Sequence, residues 1–129
     1  MSIQDILELK TIAVVGISDN HEKPSNFVAR FMEEHGYKII PVNPNLTEWE
    51  GKKCYPDLRS IPVKVDVVDI FRRPEAVPPI VDEAIAIKAK VVWMQEGIVN
   101  EEAAAKAREA GLEVVMDRCM KKEFDIKSV

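Results

Sequence analysis

The sequence predicts an α/β protein, a parallel sheet of about five strands with helices on both faces. Three observations carry that expectation. Short runs rich in β-branched residues recur along the 129 residues, with Thr11-Ile-Ala-Val-Val15, Val65-Asp-Val-Val-Asp-Ile-Phe71 and Val91-Val-Trp-Met94 among them. Segments of helical periodicity lie between these runs. The runs are almost continuously apolar, as strands covered on both faces must be. With 47% hydrophobic residues, residues 1–129 are expected to form one domain whose core needs no disulfide or metal staple.

Each element has its own local reason. Ser2 and Asp5 stand near capping-box spacing and open a short helix with Ile3, Ile6, Leu7 and Leu9 on its inner side. Thr11 to Gly16 is a strand closed by a glycine, and a polar loop runs on to Pro24. Ser25 is the expected cap of the next helix. Phe27, Val28, Phe31 and Met32 form its apolar stripe, and Gly36 its left-handed terminator. Tyr37 to Val42 is a second strand, broken by Asn43-Pro44-Asn45. The stretch from Leu46 to Pro62 is irregular, with Lys53-Cys54-Tyr55 as a short edge strand. After the Val65 to Phe71 strand, a helix begins near Pro74 or Pro78 and runs to Lys88. Val91 to Gln95 is a strand ending in Glu96-Gly97, and Asn100 caps an alanine-rich helix that stops before Gly111. Glu113 to Asp117 is the last strand, and Arg118 to Val129 a charged tail anchored by Phe124.

Right-handed crossovers give the strand order 3-2-1-4-5 with the short edge strand third, a Rossmann-like doubly wound arrangement. Ligands of such sheets bind at the carboxyl ends of the strands, where the order reverses. The chain offers Gly16, Ile17 and Ser18 there, then Asn43 and Pro44, then Phe71, Arg72 and Arg73, then Gln95, Glu96 and Gly97. The passage from strand through small-residue turn into helix aims free N–H groups and the positive helix end at one point, an anion site. The plainer reading is an ordinary strand-to-helix connection.

Net charge and composition narrow the partners. A charge of −4 and a pI near 5.3 leave no global basic field for nucleic acid or an anionic membrane. No apolar run is long enough to span a bilayer, and the start does not resemble a signal peptide, so a cytoplasmic protein is expected. Cys54 and Cys119 lack metal or redox spacing and are expected to be free thiols, with Cys119 packed. A lone Gly16 is not a G-x-G-x-x-G fingerprint. Asn43 stands where an Asp or Glu would hold an unmodified ribose diol, which argues against NAD. A phosphorylated ribose is not repelled there. Lys23, Arg72 and Arg73 supply cations for phosphates, unless they are simply solvated.

At these residues a resemblance becomes specific. Ala13-Val-Val-Gly-Ile-Ser18, Pro41-Val-Asn-Pro44, Asp66 through Pro74, Val92-Trp-Met-Gln95 with Gly97, and Met116-Asp-Arg-Cys119 resemble the small single-domain proteins of the CoA-binding family. Their fold is similar to the nucleotide-binding N-terminal domain of the succinyl-CoA synthetase α subunit. The resemblance implies coenzyme A, or an acyl-CoA, as ligand. It implies that Gly16, Ile17 and Ser18 line a pyrophosphate turn, with Asn43 and Pro44 flanking the adenosine. Phe71, Arg72 and Arg73 would form the opposite wall, and Gln95 and Gly97 the far rim. Lys23 and Ser25 complete the candidate set. No catalytic residue is expected, because His35 falls at a helix end in a cap or surface role, His21 has no recognisable acid partner and Ser18 no histidine to activate it. Of Asp66 and Asp69, one is expected to serve as a structural partner for backbone or lysine. Two other classes stay open: an NADP-type dinucleotide enzyme, and an interaction module presenting Trp49 or Trp93.

Overall fold

The computed structural model describes residues 1–127, so the last two residues of the expected tail lie outside it. In chain order the elements are α1 (Ile3–Ile6), β1 (Thr11–Val15), α2 (Pro24–Glu34), β2 (Lys38–Val42), β3 (Glu48–Trp49), β4 (Lys52–Lys53), β5 (Val67–Ile70), α3 (Val77–Ala86), β6 (Val91–Met94), α4 (Glu101–Glu109), β7 (Glu113–Val115) and α5 (Met120–Lys127). Five strands form one parallel sheet in the order β2-β1-β5-β6-β7. The chain steps outward from β1 to β2, then returns to the other flank of β1 as β5. That reversal leaves the carboxyl ends of β1 and β5 side by side.

The expected edge strand at Lys53 to Tyr55 is replaced by two smaller features. Tyr55 makes a single parallel bridge to Val42, while Lys52 and Lys53 pair antiparallel with Trp49 and Glu48. Glu50 and Gly51, the two central residues of that hairpin, have φ of 46° and 77°. Positive φ at both positions matches the right-handed twist of the two strands. The hairpin is held down by Trp49, which is buried.

The expected caps hold at the starts of α1 and α4 but not at that of α2. Ser2 and Asp5 form the reciprocal capping box, and the Asn100 side chain accepts from the Ala103 N–H at 2.9 Å. Ser25, however, does not cap α2. The helix starts at Pro24 with extended Lys23 before it, since proline's fixed φ suits a first helical position, and Ser25 lies buried inside the first turn. The tail also departs from expectation, because Met120 to Lys127 is helical. Met120 is buried, and one turn on Phe124 meets the rings of Phe31 and Tyr37 edge-on at 5.7 and 6.0 Å. A two-residue apolar stripe among charges is too sparse to show helical periodicity, yet it suffices to cover the end of α2.

Two cores flank the sheet. Val68, Ile70, Val92 and Met94 pack with α3 and α4 on one face. Ile12, Val14, Val67, Val91 and Trp93 pack with α1, α2 and α5 on the other. Both tryptophans are in the second core, so neither offers the exposed interaction surface considered above.

Candidate functional site

The turn after β1 is shaped first by its glycine. Gly16 has φ +86°, and a Cβ there would lie 2.5 Å from the Phe71 carbonyl oxygen and 2.8 Å from Arg72 Cδ. The neighbouring strand therefore demands glycine before any ligand does. Beyond it, the carbonyls are held by side-chain donors. Asn43 Nδ2 donates to the Ile17 carbonyl at 2.7 Å. Asn26 Nδ2 and Trp49 Nε1 both donate to the Ser18 carbonyl, at 2.8 and 2.9 Å.

A trans peptide is planar, with its C=O and the following N–H pointing in opposite directions. Fixing the Ile17 and Ser18 carbonyls toward those donors turns the Ser18 and Asp19 N–H groups away from them. Among the described residues, the N–H groups of Ile17, Ser18 and Asp19 have no internal acceptor. The start of α2 adds to this, having neither a side-chain cap nor an acid in its first turn. The result is a cluster of backbone donors at the positive end of a helix, suited to a phosphate or other anion.

These donors line a cleft of about 930 Å³ at the carboxyl ends of the strands, large enough for a cofactor-sized ligand. Phe27, Val28, Leu46, Phe71 and Ile98 give it apolar walls. Phe27 was expected in the core with the rest of its stripe, but it is 40% exposed on this wall. Among the described residues Lys23 and Arg72 have no acid within ion-pair distance, whereas Arg73 Nε lies 3.4 Å from Glu75. At the far rim, Gly97 N–H donates to Asp117 Oδ1 at 2.6 Å and Met120 N–H to Gln95 Oε1 at 3.2 Å. Lys122 reaches Glu96 across this end at 2.9 Å, and the hydrogen bond it donates to that carboxylate raises the lysine's pKa.

The structure brings together Gly16, Ile17, Ser18, Lys23, Ser25, Asn43, Phe71, Arg72, Arg73, Gln95 and Gly97 on this one cleft. Pro44 is exposed and stands outside its lining. The Asn43 side chain is committed to the protein, because Oδ1 also accepts from the Asn45 N–H at 2.8 Å. Sequence reasoning missed Asn26, Trp49, Lys122 and the placement of Cys119. That thiol is half-buried, packed against the second core as expected, and also lines the cleft. Only the Met120 and Phe124 spacing could have signalled the helix that carries Lys122.

The remaining polar candidates have structural surroundings. His21 Nε2 lies 3.2 Å from Glu50 at the surface, and His35 Nδ1 lies 2.7 Å from the Phe31 carbonyl oxygen. Asp66 takes the expected structural part, accepting from the Thr11 N–H and pairing with Lys90. Asp69 is 1% exposed, its Oδ1 has no partner among the described residues, and burial pushes its carboxyl well above the ordinary range. Among the described residues, no group of three or more acidic, histidine or cysteine side chains could hold a metal ion, and no helix is long and apolar enough to cross a membrane.

Comparison with known proteins adds the family. The chain is 43% identical over 120 residues to the uncharacterized protein YneT of Bacillus subtilis, covering 92% of this chain and 89% of that one. It superposes on a hypothetical protein from Pyrococcus horikoshii with TM-score 0.93 and 44% identity, covering 98% and 92% of the two chains. It is also 33% identical over 94 residues to acetate–CoA ligase [ADP-forming] II of Archaeoglobus fulgidus; this match covers 70% of the chain but 14% of the ligase. A family model described as CoA binding domain matches residues 10–125. The chain belongs to the CoA-binding domain family.

Proposed function

We propose that this protein binds coenzyme A or an acyl-CoA in the cleft at the strand ends, holding the ligand without chemistry of its own. The observation that carries the reading is the turn at Ile17 to Asp19, where three backbone N–H groups stand beside the cations Lys23 and Arg72, all without an internal partner among the described residues. A pyrophosphate satisfies such donors, and an extended pantetheine arm lies along the apolar wall of Phe27, Val28 and Phe71. Family membership supports CoA over an NADP-type dinucleotide, which would use the same turn. The ligase activity of the Archaeoglobus relative is not carried over, since the match covers 14% of that protein. The reading keeps the cytoplasmic location expected from the sequence.

Mass spectrometry of the ligand released from freshly purified protein, followed by calorimetric titration with CoA, tests this directly. CoA or an acyl-CoA in the released fraction, or saturable binding of added CoA, is the expected result. Protein that carries neither and binds no added CoA would falsify the reading.

A further inference from the structure

The Ser18 carbonyl is the most heavily held oxygen of the turn, and neither of its two donors lines the cleft. Asn26 reaches it from the first turn of α2, and Trp49 from the β3-β4 hairpin. Asn26 cannot flip its amide without loss, because its Oδ1 accepts from Arg30 Nε at 2.6 Å. Arg30 in turn lies 3.7 Å from Glu50, the residue after Trp49. The contacts close a ring that runs from Ser18 through Asn26, Arg30, Glu50 and Trp49 back to Ser18. A second tie, Lys52 to Glu33 at 2.6 Å, fastens the same hairpin to α2. Trp49 is 1% exposed, so its indole N–H must find a buried acceptor, and the Ser18 carbonyl is the one it has.

We propose that Asn26 and Trp49 are positioning residues that set the affinity of the turn for phosphate oxygens, and that the 48–53 hairpin is thereby part of the binding machinery. The proposal rests on the CoA reading only for the identity of the anion. Its physical basis is the peptide linking Ser18 to Asp19. While two donors hold the carbonyl, the Asp19 N–H stays presented. With a donor removed, the peptide can rotate, which turns the N–H away and brings a carbonyl oxygen toward the anion. Both effects weaken binding, and neither requires a ligand contact by Asn26 or Trp49.

The test uses isotopically labelled full chain, with inorganic pyrophosphate and CoA as separate probes, read at the Ser18 and Asp19 amides and the Trp49 indole N–H. All three signals should move on titration of the unmutated protein. Trp49→Phe keeps an aromatic ring in the core but has no donor, and Asn26→Leu removes the other donor without adding charge. Each should weaken both probes about tenfold, the value of one hydrogen bond to a charged system, at temperatures well below the melting point. A role confined to stability would lower the melting temperature and leave both affinities unchanged, which overturns the proposal. If one variant fails to fold, the other carries the test alone. Binding of pyrophosphate at the turn without binding of CoA removes the CoA reading and leaves the positioning role standing. Silence of the Ser18 and Asp19 amides toward both probes in the unmutated protein removes both.

Discussion

The two faces of the sheet are made by alternate residues of the same strands, yet they bury different chemistry. Against α3 and α4, Val68, Ile70, Val92 and Met94 meet other apolar side chains. Against α1, α2 and α5, the strands contribute Val67, Val91 and Trp93, and this side also holds the buried polar residues Ser25, Asn26, Asp69 and Gln95. Asp69 and Ile70 are sequence neighbours on β5, one an unpartnered carboxyl and the other a packed methyl cluster. The difference has a direction along the strands as well. Asn26, Gln95 and the indole of Trp49 gather at the carboxyl ends, where they hold backbone groups that border the cleft. One face supplies stability through burial. The other gives up part of that gain to orient peptide groups, since buried polar groups cost free energy unless hydrogen-bonded.

Gly16→Val should produce the largest effect, because it strikes where both faces and the cleft meet. The Cβ collides with the Phe71 backbone in a left-handed conformation, so destabilisation of about 4 kcal/mol is expected. From the turn alone, a side chain here is expected to obstruct the pyrophosphate and to weaken nucleotide binding far more than folding. The clash extends its role to folding, and a denaturant melt beside a CoA titration should record losses in both. Ile70→Ala, on the apolar face, should cost about 3 kcal/mol by emptying a packed site. CoA affinity measured well below the melting temperature should not change. A fall in affinity comparable to that of Trp49→Phe would erase the distinction between the faces.

Smaller effects sharpen the comparison. If Lys23 or Arg72 meets the 3′-phosphate, CoA should bind ten- to hundred-fold more tightly than dephospho-CoA, or about 2 kcal/mol. Replacing the responsible residue by alanine should close that gap and spare dephospho-CoA. Parallel titrations of both ligands decide it, with added salt narrowing the difference. For Asp69 the prediction concerns pH. Burial keeps its folded-state carboxyl protonated where the unfolded chain ionises, so the folded chain binds more protons. Stability relative to Asp69→Asn should therefore fall as pH rises above about 4, by at most about 1.4 kcal/mol per pH unit, until the folded-state pKa is passed. Urea melts of the two proteins at successive pH values measure this gap. A gap that stays constant with pH would mean that Asp69 is ionised in the folded chain.

Much of this molecule is legible in short windows of sequence. The β-branched runs around Val14, Val68 and Val92, the capping box at Ser2, the cap at Asn100 and the stop at Gly36 are each specified within a few residues, because backbone propensity and capping are local. The alternation of strand and helix then implies a parallel sheet with its site at the carboxyl ends, which is where Gly16, Phe71 and Gln95 meet. What the windows could not show was which polar side chains answer which backbone groups. Ser18 lies 8 residues from Asn26 and 31 from Trp49, and Ile17 lies 26 from Asn43. No local pattern specifies those pairings. They exist because the β3-β4 hairpin, the end of β2 and the start of α2 converge behind one turn, where a buried N–H or carbonyl must take the partner that packing leaves within reach.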